Sequence, residues 1–208
     1  MLLTFSLGIW QLKRLEWKQS LINTFEQTSS KIAVDLQFAE KTEFQKVKVN
    51  AKINRKFKIF FPAKTLNGQS GFRLASILQT IGSENILVDE GWYNQDKHEY
   101  FLKNDKIFSK EIEGYIRFPR KAKLFTPKNN LTTNEWYTYN LKEIEKFLEI
   151  KINQKYFIKN MSNGDEPFLI PSKLIPTFSN NHLQYAITWF VMSFAFFVLF
   201  LVYLKKNK

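Results

Sequence analysis

Twenty uncharged residues, Tyr185 to Leu204, form the longest apolar run in this 208-residue chain, and Lys205, Lys206 and Lys208 end it. At about 1.5 Å per residue, a helix of that length matches a hydrocarbon core of roughly 30 Å. The pattern therefore predicts a transmembrane helix, entered through the polar turn Asn180-Asn181-His182. A second apolar stretch, Met1 to Leu12, precedes Lys13-Arg14. It is too short to cross a bilayer, and it reads as the outer half of a truncated transmembrane helix or as a chain whose true start lies upstream. Mass spectrometry of the native N-terminus distinguishes the two. No basic leader or small-residue cleavage site marks a removable signal peptide. Trp10, Arg14, Trp17 and Leu21 recur at helical spacing on one face, where Trp and Arg suit the membrane–water interface.

Between these ends the period changes from helical to two. Val47–Ile53 alternates apolar and polar positions. After Asn54-Arg55 a second run, Phe57–Phe61, follows. Phe72–Thr80, after the Asn67-Gly68-Gln69-Ser70-Gly71 turn, reads as a strand, as do Ile86–Tyr93, Ile112–Phe118 and Lys151–Ile158. One helical pattern stands out: Leu141, Ile144, Phe147 and Leu148 share a face within Leu141–Ile150, with Asn140 as N-cap. Pro167, Pro171 and Pro176, with Ser172 and Ser179, mark an irregular approach to the last helix. The predicted fold class is membrane-anchored α+β: two transmembrane helices, the first truncated, flank a strand-rich, mainly antiparallel β extramembrane domain, as a small barrel or a sheet with a helix or two. The expected division is 1–22 for the first helix and its interfacial segment, 23–179 for the β-rich domain, and 180–208 for the second helix with its lysine tail.

Mean hydropathy is −0.31, which excludes a polytopic transporter and fits a folded body tethered at a membrane. The lysine tail puts the C-terminus in the cytoplasm by the positive-inside rule, and the middle domain outside. The net charge of +12 would suit anionic lipid, nucleic acid or an acidic partner. The basic residues are dispersed among Glu and Asp, and usage rich in Lys, Asn, Ile and Phe is that of AT-rich coding sequence. With no nucleic-acid-binding motif either, no nucleic-acid partner is expected. The chain has no cysteine, so thiolate metal sites, disulfides and Cys nucleophiles are excluded. Its two histidines lie far apart and no phosphate-binding loop is present, so no catalytic constellation is assembled and no enzyme is expected. His98, in the polar Asn94-Gln95-Asp96-Lys97-His98-Glu99 turn, is expected to face solvent.

Three segments carry a family resemblance. They are Leu7-Gly8-x-Trp10-Gln11-x-x-Arg14-x-x-Trp17-Lys18, Leu87-Val88-x-x-Gly91-Trp92, and Asn181-His182-x-x-Tyr185-Ala186-x-Thr188-Trp189. In this order and flanked by hydrophobic segments, they resemble the Surfeit locus protein 1 family, assembly factors (chaperones) for cytochrome c oxidase, respiratory chain complex IV. The resemblance spans nearly the whole chain. It implies two membrane helices holding one domain outside the cytoplasmic or matrix side; the lack of an Arg/Ser-rich presequence favours the bacterial plasma (inner) membrane, with the domain on the periplasmic side. It implies the haem–copper subunit of the oxidase and the haem a synthesis machinery as partners. It further implies transient binding of haem a, with His182 as iron ligand. Asp89-Glu90 departs from the family, whose members usually carry Asn-Arg there, and this puts an anion contact from that position in doubt.

His182, Tyr185 and Trp189 share a helical stripe with Ala186 beside them. A boundary histidine above aromatics and a small residue is able to ligate a haem iron while the macrocycle lies against the apolar face. The other reading is an interfacial histidine capping the helix, with Tyr185 and Trp189 as belt aromatics. Arg14 is either the partner of a haem propionate or a snorkelling anchor. Gly91-Trp92 is expected to mark a close backbone approach and a buried anchor. Thr188 and Ser193 are expected to bond back to their own helix or to pack the two helices together. Two functions remain open: a haem-holding assembly factor, and a non-haem membrane scaffold whose domain docks the nascent oxidase subunit.

Overall fold

The computed structural model describes residues 2–29, 32–66, 68–122, 124–173 and 181–207. Pro176 and Ser179, the 179/180 boundary and the side chain of Leu21 lie outside the described residues. The chain divides into two compact units, Thr28–Leu174 and the pair Met1–Gln27 with Ile175–Lys208.

The first unit is a closed barrel. Its strands are β1 (Val34–Asp35), β2 (Lys46–Leu66), β3 (Gln69–Thr80), β4 (Asn85–Asn94), β5 (Ile107–Arg117) and β6 (Phe157–Asn160). The ladder runs β1-β2-β3-β4-β6-β5 and closes by pairing β5 back onto β2. All pairs are antiparallel except β1–β2 and β4–β6. Leaving the two-residue β1 aside, five strands make the barrel, the strand count of OB-type barrels, whose interior is filled by side chains. Closure removes the unpaired edges that a sheet of this length would otherwise expose.

The period-two pattern of β2 is realised. Val47, Val49, Ala51 and Ile53 are buried in the interior with Leu78, Ile86, Val88, Ile112 and Ile158. Strand β4 reads as a continuous apolar run because both its faces are covered. Ile86 and Val88 face the interior, while Leu87 joins Ile59, Ile77 and Trp136 under the short helix α3 (Leu141–Leu148). A third cluster gathers Phe60, Leu74, Tyr93, Leu169 and Phe101, the last from α2 (His98–Lys103). The β2–β3 hairpin turns on Gly68 at φ +80°, where glycine carries no Cβ penalty.

Several expectations need correction. Val47–Ile53 and Phe57–Phe61 are not separate strands: both belong to β2, and the register shift between Asn54 and Lys58 is a bulge. Strand β5 starts at Ile107, five residues before Ile112, and ends before Phe118. Lys151–Tyr156 is a loop and only the short β6 follows it. Its alternation arises because Ile152 and Tyr156 are buried from that loop, which the Asn153 side chain holds by accepting from the Lys155 and Tyr156 amides. Asn140 precedes α3 without a side-chain cap bond; its amide instead donates to Glu143. His98 is half-buried, not free in solvent. It stacks on Phe72 at 4.3 Å and meets the Tyr93 hydroxyl at 2.9 Å through Nδ1. Burial lowers its pKa against the opposing pull of Glu135.

Gly91 and Trp92 behave as expected. Trp92 is buried and exchanges backbone hydrogen bonds of 2.7 Å with Ile170 in both directions. Gly91 has φ +150°, and a Cβ there would lie 2.4 Å from the Ile170 carbonyl oxygen. Gly91→Ala is expected to cost about 2–4 kcal/mol, from backbone strain plus overpacking. A denaturant titration of the full chain checks it, and an unchanged midpoint refutes it.

The second unit holds α1 (Leu2–Ser29) and α4 (His182–Lys206). Helix α4 is long and apolar enough to cross a membrane, and among the described residues it alone meets that test. Helix α1 continues past residue 22 because no Gly or Pro interrupts Lys13–Ser29. Its charges at Lys13, Arg14, Glu16 and Lys18 keep it from being apolar throughout. The helices run antiparallel, as Gln11 meets His182 while Phe5 and Gly8 meet Phe190. Small residues line the seam: Thr4 and Gly8 on α1, Ala186 and Ser193 on α4, all buried. Close approach through small side chains is how helices associate without a hydrophobic driving force.

Candidate functional site

The histidine at the mouth of α4 is the first helical residue after Asn181. The Asn181 side chain makes no cap bond; the Asn181 carbonyl accepts from the Tyr185 amide at 3.1 Å. His182 is half-buried, and its Nδ1 lies 2.8 Å from Oε1 of Gln11 on α1. An amide oxygen only accepts, so the facing ring nitrogen donates. In a neutral ring that leaves the lone pair on Nε2. Ala186, one turn on, is 1% exposed and packed in the seam with α1. Trp189 follows, half-buried, on the same stripe. Tyr185 sits at the edge of that stripe and is 53% exposed. Thr188 bonds back to the Gln184 carbonyl at 3.0 Å, as expected.

Arg14 is exposed, one turn along α1 from Gln11, with its guanidinium 4.0 Å over the ring of Trp17. Stacking of this kind suits an interfacial cation. Further along the helix pair, Leu2, Phe5, Phe190, Ser193, Phe194 and Phe197 line an apolar groove of about 410 Å³. Among the described residues no group of three or more His, Asp or Glu side chains converges as a metal site.

The barrel carries a second polar constellation, built on Arg55, Arg73 and the Asp89-Glu90 pair. Arg55 lies in the β2 bulge and is fully buried. Glu90 is the extra residue where the β3–β4 register shifts between Gly91 and Asp89. Bulges re-aim side chains, and here they bring Arg55 and Glu90 to 2.6 Å. Arg55 also reaches Asp165 at 2.6 Å, and Ser76 donates to Glu90 at 2.6 Å. Burial opposes the charge on Arg55, yet Glu90 and Asp165 hold its pKa above the ordinary value. On the other face of β4, Asp89 is fully buried between Arg73 at 2.8 Å and Lys159 at 3.2 Å, and the Tyr139 hydroxyl donates to it at 2.6 Å. Burial pushes the Asp89 carboxyl up, but Arg73 and Lys159 more than reverse this and hold it down to about 2. The Asp89-Glu90 pair is therefore consumed in internal ion pairs.

From the sequence, His182, Tyr185 and Trp189 were expected to share a stripe with Ala186 beside them; the helix carries His182, Ala186 and Trp189 along one side, with Tyr185 at its exposed edge. The sequence reading missed Gln11 as a partner, and it missed Arg55 and Arg73 altogether. A signal for Gln11 was present: Thr4, Gly8 and Gln11 recur at helical spacing as small and polar residues in an otherwise apolar stretch.

A strand-rich barrel on a chain with a helix long and apolar enough to cross a membrane defines an α+β protein with a candidate membrane span. A family model described as the SURF1 family matches residues 1–194, and the chain belongs to that family. It is 27% identical over 207 residues to the SURF1-like protein of Rickettsia conorii, covering 97% of this chain and 86% of the relative. The SURF1-like protein of Rickettsia prowazekii is 29% identical over 206 residues, with 95% and 84% covered. The Surfeit locus protein 1 of Takifugu rubripes is 25% identical over 233 residues, with 99% and 94% covered.

Proposed function

We propose that this protein is an assembly factor for cytochrome c oxidase that holds haem a transiently at the outer boundary of a bacterial plasma membrane and promotes its insertion into the haem–copper subunit. Family membership supports the assembly role, as the resemblance implies. The observation that carries the haem reading is the imidazole of His182, whose Nδ1 lies 2.8 Å from Gln11 Oε1, an arrangement that in a neutral ring leaves the Nε2 lone pair for a metal. A single imidazole is too small a donor set for a structural ion such as zinc, which takes about four protein ligands. It is the donor set of a haem, which brings four nitrogens of its own and the electron-transfer chemistry that the oxidase uses. His182 would hold the iron through its ring nitrogen, Trp189 and Tyr185 would flank the group, and Arg14 would be the cation for a propionate. One axial ligand at the edge of a helix pair favours release to the oxidase subunit over permanent residence. The protein acts as a chaperone of the cofactor, not as an enzyme.

The test is an optical spectrum of detergent-purified protein co-expressed with a haem a synthesis pathway. The expected result is a Soret band that disappears in His182→Ala at unchanged expression. A band that persists in that variant removes His182 from the ligand role.

A second reading, a haem-free docking scaffold, is favoured by the barrel surface, where Ile81, Leu124 and Phe125 are 89%, 90% and 93% exposed. A colourless protein that still restores oxidase assembly, and loses this in Leu124→Ser/Phe125→Ser, decides for the scaffold.

A further inference from the structure

We infer that Gln11 is the positioning residue of the candidate ligand: it fixes the tautomer and orientation of His182 so that Nε2, not Nδ1, faces outward as a base. The inference rests on the haem reading for its purpose, but its physical content stands in the protein alone.

Neutral histidine side chains free in water favour the proton on Nε2, the nitrogen that must be bare to ligate here. An acceptor facing Nδ1 reverses that preference, and Gln11 Oε1 faces it at 2.8 Å. Metal-ligating histidines commonly donate their other ring N–H to such an acceptor. The contact joins residues 171 positions apart on two helices, so it forms only when α1 and α4 are paired. The pairing is held by the snug seat of Phe190 against Gly8, where a Cβ would approach its ring to 2.5 Å. The amide orientation matters: an amide NH₂ turned to Nδ1 would force the proton onto Nε2 and disable the base. Ligand strength is thus tied to helix pairing, and parting of the two helices weakens the hold on the cofactor.

The first arm of the test uses full-length protein in detergent without haem, labelled with ¹⁵N-histidine, at a pH where the ring is neutral. The chain has two histidines, and His182→Ala identifies the resonances by their loss. The expected result is His182 with a protonated Nδ1 and a bare Nε2, shifting toward the Nε2–H form in Gln11→Leu and retained in Gln11→Glu. An Nε2–H form in the wild type, or an unchanged ring in Gln11→Leu, overturns the inference. The second arm measures haem retention, expected to weaken about 10- to 100-fold in Gln11→Leu and to recover in Gln11→Glu, with a shift of the iron–histidine stretch between the two. Retention equal to wild type in Gln11→Leu also overturns the inference. If wild type holds no haem while the tautomer behaves as stated, the haem reading falls and the positioning role of Gln11 stands.

Discussion

Arg55→Met is expected to destabilise the barrel by about 3–5 kcal/mol, because removing one partner of a buried ion pair strands the others. Arg55 is fully buried and bonded to Glu90 and Asp165, each at 2.6 Å. Its guanidinium also lies 5.1 Å from the ring centroid of Phe108 and 5.6 Å from that of Phe101. With methionine in its place, the Glu90 carboxylate, 4% exposed, keeps Ser76 as its one side-chain donor among the described residues. A loss of that size lowers the melting temperature by roughly 6–20 °C for a domain of this length, which far-UV circular dichroism of the full chain reads directly. Pairing the change with Glu90→Leu should recover part of the loss, since an apolar replacement of both charges removes the stranded group. A single variant that melts within a degree of wild type would show that the bulge tolerates an open charge, and would sink the argument.

The same residue shows where the sequence stopped being readable. Asn54-Arg55 looks like a turn between two short strands, since buried arginine is rare enough that a polar pair mid-run reads as a break. The chain instead stays in β2 and spends the irregularity on a bulge. Arg73 hid for the same reason, as an ordinary polar position on an alternating strand. Elements whose pattern follows from one-sided or complete burial were legible: the first part of β2, the Gly68 turn, β3, β4, α3 and α4. The Lys151–Ile158 stretch failed because a loop that buries Ile152 and Tyr156 mimics period two. At the candidate site the α4 stripe was readable from its 3.6-residue period, because its members are near neighbours in sequence. The spacing of Thr4, Gly8 and Gln11 marked a face of α1, but the pairing of Gln11 with His182 was not readable, because a contact across 171 residues leaves no local pattern that names the partner. The closing of β5 onto β2 was invisible for the same reason, although a small barrel was among the architectures allowed.

Acid should act on the barrel through Asp89. Its carboxyl is fully buried, and burial alone would raise its pKa; Arg73 and Lys159 hold it instead at about 2, against an ordinary 3.8. A carboxylate whose folded pKa lies below its unfolded one contributes stability above the unfolded value and loses it as pH falls through the folded one. The contribution, about 2 kcal/mol, is therefore complete at neutral pH and disappears between roughly pH 4 and pH 2. Asp165, lowered by Lys106 and Arg55 against its own burial, adds to the same window, so wild type alone does not isolate Asp89. The comparison with Asp89→Asn does. That variant is expected to lose about 3 kcal/mol at pH 7, since Arg73 and Lys159 are left partly buried without their counter-charge. On acidification its stability should then fall less than that of wild type, so the two curves converge below pH 3. Denaturant midpoints of both proteins across pH 2–7 give the result, and parallel curves would mean that Asp89 carries no linked proton.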